Sequence, residues 1–253
     1  MSVFILVPVI APFIGQVILI FFNWEAIFWM FLITALLVCI WFSIGLDETL
    51  LPESRQPLSF LKIRNGMIEV LKTRTALGYT LATGFLFSPF VGYLSSSQQI
   101  FADGYGKKDE FPLLFASLAL TFGVASLVNA RLVYRYGLKR LCFASVSVIT
   151  GLSGIFLLGI LGMDKMPPLW LFMGYMMIIF PGIGFLFGNL NALAMEPLGH
   201  IAGVGAAMIG SLSSLISIPL GILIGGAFNG TVLPLVTGFS LCGLAVLFSL
   251  FWS

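Results

Sequence analysis

Charge is what this chain has least of. Only 9% of its 253 residues are Asp, Glu, Lys or Arg, where a water-soluble domain carries roughly a quarter, so a water-facing surface could not be clothed. The single histidine, His200, argues against a His-based catalytic or metal site. The three cysteines, Cys39, Cys142 and Cys242, lie in apolar stretches and read as small packing residues rather than a disulfide or metal framework. Twelve Lys+Arg against ten Asp+Glu leave a net charge of +2, too little to point to a polyanionic partner. What is abundant is apolar: 59% of residues are hydrophobic, with 25 Phe, 28 Gly and a mean hydropathy of +1.10. A soluble enzyme, a disordered chain and a nucleic-acid binder are excluded. The fold class is an all-α, polytopic membrane protein.

A helix needs roughly 20 apolar residues to cross the hydrocarbon core. Seven long stretches lack Asp, Glu, Lys and Arg, and the last, 197–253, is too long for one span. It divides at Gly226-Ala227-Phe228-Asn229-Gly230, where Asn-Gly signals a turn. Eight helices are therefore expected, at about 3–22, 25–46, 76–100, 111–131, 141–162, 169–195, 203–225 and 232–252. Lipid offers backbone polar groups no other partner, and no alternating barrel pattern is present. The first span lacks preceding basic residues and a small-residue cleavage site, so it reads as a retained helix. Nine basic residues fall in the 47–75 and 131–140 loops and three (Lys107, Lys108, Lys165) on the other side. That asymmetry places both termini in the cytoplasm. In the 47–75 connection, Phe60, Leu61, Ile63, Met67, Ile68 and Leu71 recur at helical spacing among Lys62, Arg64 and Lys72, as in a short interfacial helix on the inner leaflet. A disordered basic linker is the alternative. The sequon Asn229-Gly230-Thr231 reads more simply as a turn.

The first and seventh spans echo one another: each has a proline mid-span (Pro12, Pro219) with glycine soon after, and each precedes a final apolar helix. Four segments extend the echo to a family. Ala11-Pro12-Phe13-Ile14-Gly15, Asn23-Trp24-Glu25-Ala26-Ile27-Phe28-Trp29, Leu51-Pro52-Glu53-Ser54, and Asn191-Ala192-Leu193-Ala194-Met195-Glu196-Pro197 with Gly199-His200-Ile201-Ala202-Gly203 resemble the major facilitator superfamily, in its drug-efflux branch called Bcr/CflA-like. Gln16 stands where that branch usually has a second glycine, and Glu25 where a basic residue is common. The resemblance implies helices five to twelve of a twelve-helix transporter, with the first four apparently lacking. Residues 1–46 would be the last two helices of an N-terminal half, 47–75 the cytoplasmic inter-half loop, and 76–253 a complete six-helix C-terminal half. Ala11, Pro12 and Gly15 would be the antiporter motif. Arg131, Arg135, Gly137, Lys139 and Arg140 would be a degenerate copy of the cytoplasmic loop motif, with Tyr134 where an Asp is expected; an ordinary positive-inside loop explains them equally well.

No ionisable residue lies deep in a span, so proton coupling has no obvious carrier, and His200 is expected to pack in a loop. Candidates for a substrate cavity are Tyr79, Thr83 and Phe87, which share a face of the third span, and Tyr175, Met176, Phe180, Asn189 and Asn191 on the sixth. Each could instead pack helices or face lipid. The two amides are expected to face the bundle, since a buried amide needs a partner. Pro181-Gly182-Ile183-Gly184 is expected to interrupt the sixth helix. The resemblance implies a secondary active drug:proton antiporter in the inner membrane, neither an enzyme nor cofactor-dependent. Its partners would be the lipid bilayer and a lipophilic small molecule, with a partner chain or self-association covering the incomplete half. A non-transporting truncation product or accessory subunit is the alternative. Reporter fusions at Ser253 and near Lys107 should report opposite sides of the membrane; the same side for both would overturn the topology.

Overall fold

The computed structural model describes residues 14–15, 17–46, 59–162 and 166–253. Among them the regular elements are helical: α1 (Glu25–Gly45), α2 (Phe60–Lys72), α3 (Arg74–Gln99), α4 (Phe111–Tyr136), α5 (Leu138–Ile160), α6 (Leu169–Met195), α7 (Ala202–Gly226) and α8 (Leu233–Trp252). A π-turn, Ile100–Gly104, extends α3, and a 3-10 turn, Glu196–Ile201, joins α6 to α7. α1 and α3 to α8 are long and apolar enough to cross a membrane, with α6 and α7 forming one helical run. They are the second to eighth expected spans. The first, with Ala11 and Pro12, falls largely outside the described residues, although 17–21 are helical.

Local chemistry sets the joints. Pro112 and Pro234 open α4 and α8 in the first turn, where a missing N–H costs nothing. Gly137, at φ 82°, turns α4 directly into α5, a backbone conformation that only glycine adopts freely. Between α7 and α8, Asn229 Oδ1 accepts hydrogen bonds from the Thr231 amide (3.2 Å) and hydroxyl (2.7 Å), so the sequon forms a side-chain-closed turn.

The tightest packing is between α3 and α7. On α3, Ala76, Thr80, Gly84, Ser88, Gly92 and Ser96 are buried at every fourth position. The buried residues of α7 also fall at every fourth position: Gly205, Ile209, Ser213, Ser217, Gly221 and Gly225. The helices run parallel, because Thr80 meets Ser213, Gly84 meets Ile216, and Gly92 meets Ile224. A methyl group at Gly221 would sit 2.6 Å from Val91 Cβ and 3.0 Å from the Ser88 carbonyl. Lipid tails are as apolar as the side chains, so helices in a membrane gain from dispersion at close range, and small residues provide that range. The hydroxyls along α3 bond back to their own helix: Thr80 to the Ala76 carbonyl (2.6 Å), Ser88 to Gly84 (2.9 Å) and Ser96 to Gly92 (2.8 Å).

α6 is continuous across Pro181-Gly182-Ile183-Gly184, contrary to the expected interruption. The glycines serve packing instead. A Cβ at Gly182 would lie 2.8 Å from Ile149 of α5, and one at Gly184 would lie 2.8 Å from the Phe122 carbonyl of α4. α8 closes the unit against α3 and α5; Arg74 of α3 donates to the Trp252 carbonyl and lies 5.4 Å from the Trp252 ring centre.

α2 is the amphipathic helix expected in the 47–75 connection, capped by the Ser59 hydroxyl, which accepts from the Lys62 amide (3.5 Å). It packs on the start of α7, where Gly66 meets Val204, and its buried residues are Gly66 and Val70. α1 differs from every other span: none of its residues is buried. An apolar groove of about 650 Å³ lies between residues 14–22 and α1, lined by Val17, Phe22, Trp29 and Ile33 among others.

Gly221→Ala should lower the unfolding temperature in detergent, since about 1–3 kcal/mol of overpacking outweighs the helix-propensity gain of about 1 kcal/mol. Gly210→Ala, on the open face of α7 with nothing within 4 Å, should be neutral or stabilising. Equal effects would refute the seam.

Candidate functional site

The structure gathers most of the expected cavity residues, but into the packed interior. Tyr79 and Thr83 are buried, and the Thr83 hydroxyl donates to the Tyr79 carbonyl at 2.8 Å. Tyr175 stacks on Phe156 of α5 at 4.4 Å, and its hydroxyl shares a 2.8 Å hydrogen bond with Ser153. Met176 is fully buried, and Phe180 meets Tyr93 edge-on at 5.2 Å. These residues bind α3, α5 and α6 to one another in the conformation described. Phe87 alone of the aromatic candidates is half-buried.

The two amides part company. Asn189 is buried and exchanges two hydrogen bonds with Asn129 of α4, at 3.0 and 2.9 Å. The reciprocal pair engages one N–H and the carbonyl oxygen of each amide and clasps α4 to α6. Asn191 is exposed, contrary to expectation. Two residues turn a helix by about 200°, so when Asn189 faces α4 its neighbour must face away.

Around Phe87 a set of rings reaches the surface that the sequence reading did not single out. Phe87 lies 5.2 Å from Phe187 and 6.0 Å from Phe90; Phe90 stacks with Phe122 at 6.2 Å, and Phe122 meets Phe187 at 6.3 Å. Phe87, Phe90 and Phe122 are half-buried and Phe187 is 37% exposed. Phe180 and Tyr93 back them from the interior. α3, α4 and α6 thus present one aromatic face, with π surfaces that can take flat apolar groups or a diffuse cation. The signal in the sequence is the seven-residue spacing of Phe115 with Phe122 and of Phe180 with Phe187, which repeats a helix face after two turns.

The opposite chemistry lies at the end of the bundle where α4 turns into α5. Arg131, Arg135, Lys139 and Arg140 are all exposed around Gly137, and Arg135 lies 5.3 Å from the Tyr136 ring. A cleft of about 470 Å³ there runs from Gly137, Lys139 and Arg140 to Glu196. At this same basic end, His200 Nε2 lies 2.7 Å from Glu69 Oε1, tying the α6–α7 turn to α2. Gly15, of the expected antiporter motif, has nothing within 4 Å of its Cβ position. No cluster of His, Cys, Asp or Glu suited to a metal occurs among the described residues.

Comparison with known proteins places these features. The family model described as Major Facilitator Superfamily matches residues 1–222. The chain is 27% identical over 248 residues to a bicyclomycin resistance protein homolog of Haemophilus influenzae, covering 95% of this chain and 60% of that protein. It is 29% identical over 222 residues to the uncharacterised MFS-type transporter YdgK of Bacillus subtilis, covering 86% of this chain and 54% of that one. The chain therefore spans little more than half the length of these relatives. No solved structure matches it.

The amide clasp is open to a double-mutant cycle. Asn189→Leu and Asn129→Leu alone should each cost about 1–3 kcal/mol by stranding the other amide, read as lost thermal stability in detergent. The double substitution should recover much of that loss; additive losses would show that the two amides do not depend on each other.

Proposed function

Because this chain belongs to the Major Facilitator Superfamily, we propose that it works as part of a secondary active transporter of the multidrug-efflux type, moving a lipophilic substrate against protons across the inner membrane. The single observation that carries this reading is the aromatic face of Phe87, Phe90, Phe122 and Phe187. It is broad, apolar and free of side-chain charge, so it takes many lipophilic shapes without a fixed hydrogen-bond pattern. The resistance named for the Haemophilus influenzae relative fits export of a drug-like molecule. Phe180, with Tyr93, then supports this face from behind, Tyr79, Thr83, Tyr175 and Met176 belong to the packed interior, and Asn189 joins α4 to α6. Asn191 and the antiporter-motif residues Ala11, Pro12 and Gly15 would serve outside it.

In this reading 76–253, from the first turn of α3 to the end of α8, are one six-helix half, 47–75 links it to its partner half, and 1–46 belong to that partner. Both termini face the cytoplasm, so the basic end with Arg131, Arg135, Gly137, Lys139 and Arg140 lies at the inner leaflet. Rocking of two halves about a midplane site would alternate access. Among the described residues Asp, Glu, Lys, Arg and His occur near helix ends and in connections, so we assign the proton-carrying group to residues outside the described spans or to a partner. A second reading is an accessory subunit that does not itself transport; in either reading α1, with no buried residue, would be covered by lipid, a partner chain or a second copy.

Binding of a lipophilic aromatic cation such as tetraphenylphosphonium to the purified chain tests the face. Phe90→Ala and Phe122→Ala should each weaken it by roughly 2–10-fold, and Phe248→Ala, an exposed ring on α8, should leave it unchanged. Gradient-driven uptake of the cation by a demonstrated monomer in liposomes would exclude the accessory reading, whereas loss of neither binding nor uptake in the two ring variants would refute the assigned face.

A further inference from the structure

α2 carries two separate apolar faces, and the bundle uses only one. The inward face is narrow: Gly66, whose Cβ position lies 3.1 Å from Val204 Cγ1, and Val70, fully buried. Glu69 flanks it and meets His200 at 2.7 Å. On a helix of 3.6 residues per turn, Met67, Phe60, Leu71, Ile68 and Leu61 fall within an arc of about 120° on the far side. All five are exposed, Phe60 by 84%. Arg64 lies inside that arc and Lys72 at its edge. A wide apolar face on a short helix, interrupted by cations rather than anions, differs from a water-facing surface.

We propose that this outward face of α2 docks on an anionic lipid surface, with Phe60, Leu61, Met67, Ile68 and Leu71 entering the headgroup–acyl boundary while Arg64 and Lys72 reach phosphates. Charge selects this occupant. The acidic residue of α2, Glu69, faces His200, so the outward face itself is cationic. Thr73 alone separates α2 from α3, and α4 returns to the same end before Gly137, so Arg135, Lys139 and Arg140 stand at the same end of the bundle as α2. Cations at that end attract an anionic leaflet over about a Debye length. Long Arg and Lys stems can lie along apolar surface with their heads in the phosphate layer, which reconciles Arg64 with its apolar neighbours. A helix of this kind lies in the interface plane with its apolar side shallowly buried. The docking needs no transported substrate.

The test uses the full chain carrying Cys39→Ser and a spin label at Ile68→Cys, reconstituted into vesicles of phosphatidylcholine with or without phosphatidylglycerol. With phosphatidylglycerol, the label should lose access to a water-soluble nickel relaxer and gain access to oxygen. Added salt should partly restore nickel access in the same sample, and Arg64→Glu with Lys72→Glu should abolish the phosphatidylglycerol effect. Because the salt arm uses unaltered charges, it decides the matter even if the charge-reversed variant misfolds. Nickel access that is high in both lipids, or identical burial in both with no salt response, overturns anionic docking. Shielding from nickel and oxygen alike overturns it in favour of a protein partner.

Discussion

Close approach of α3 and α7 is the constraint on which the rest of the bundle depends. Two backbones brought together along rows rich in Gly, Ser, Ala and Thr admit large side chains at the seam only where a small residue faces them, as Ile216 sits against Gly84, Ile224 against Gly92 and Val91 against Gly221. The bulky residues of α3 are therefore directed toward α4, α5, α6 and α8, where Phe90, Tyr93 and Leu86 form the core with Phe115, Phe180 and Phe239. Small residues on one side and rings on the other are two consequences of one packing decision. The hydroxyls needed to fill the seam satisfy themselves within their own helices, so the seam remains apolar in effect although it is rich in serine.

The aromatic face follows from that segregation. α3 presents Phe87 and Phe90 where its ring-bearing side meets α4 and α6, and Gly184 lets α6 come close enough to the Phe122 carbonyl for Phe122 and Phe187 to join them. The Asn129–Asn189 pair sits farther along the same two helices. Each amide commits one N–H and its carbonyl oxygen to the other, and the rings themselves carry no hydrogen-bonding group, so recognition by the rings rests on shape and polarisability.

The spans were legible because lipid makes a severe demand: a run of about 20 apolar residues has few alternatives. The turn at Asn229-Gly230 and the amphipathic Phe60–Lys72 were legible for related reasons, since turn chemistry and period are local. What failed was whatever depended on a neighbour. Pro181-Gly182-Ile183-Gly184 carries the composition of a broken helix, yet Gly182 and Gly184 answer to Ile149 and Phe122, which no local pattern reveals. Asn189 and Asn191 were grouped by residue type although they point to opposite sides of α6, and periodicity alone would have separated them. Tyr79, Thr83 and Tyr175 were placed on the correct helices, but the sequence does not say whether a helix face meets a cavity or another helix. Phe122 and Phe187 were readable in their spacing, and their meaning came only from the pairing of α4 with α6.

The two principal seams also differ in mechanical character. Among the described residues one hydrogen bond, from Ser213 to the Thr80 carbonyl, crosses between α3 and α7, and the remaining contacts there are dispersion, with Ile216 and Ile224 of α7 seated against Gly84 and Gly92 and Val91 of α3 against Gly221. Dispersion carries no directional bond, but branched side chains seated over glycines meet steric overlap on any axial slip, so that seam is held in register by shape. The α4–α6 seam adds a directional lock. Its paired amides lock one register, and a slip of one residue would break both bonds at once. Sliding is therefore opposed in both seams, by interlocked shape between α3 and α7 and by paired hydrogen bonds between α4 and α6, so each pair would travel as a unit.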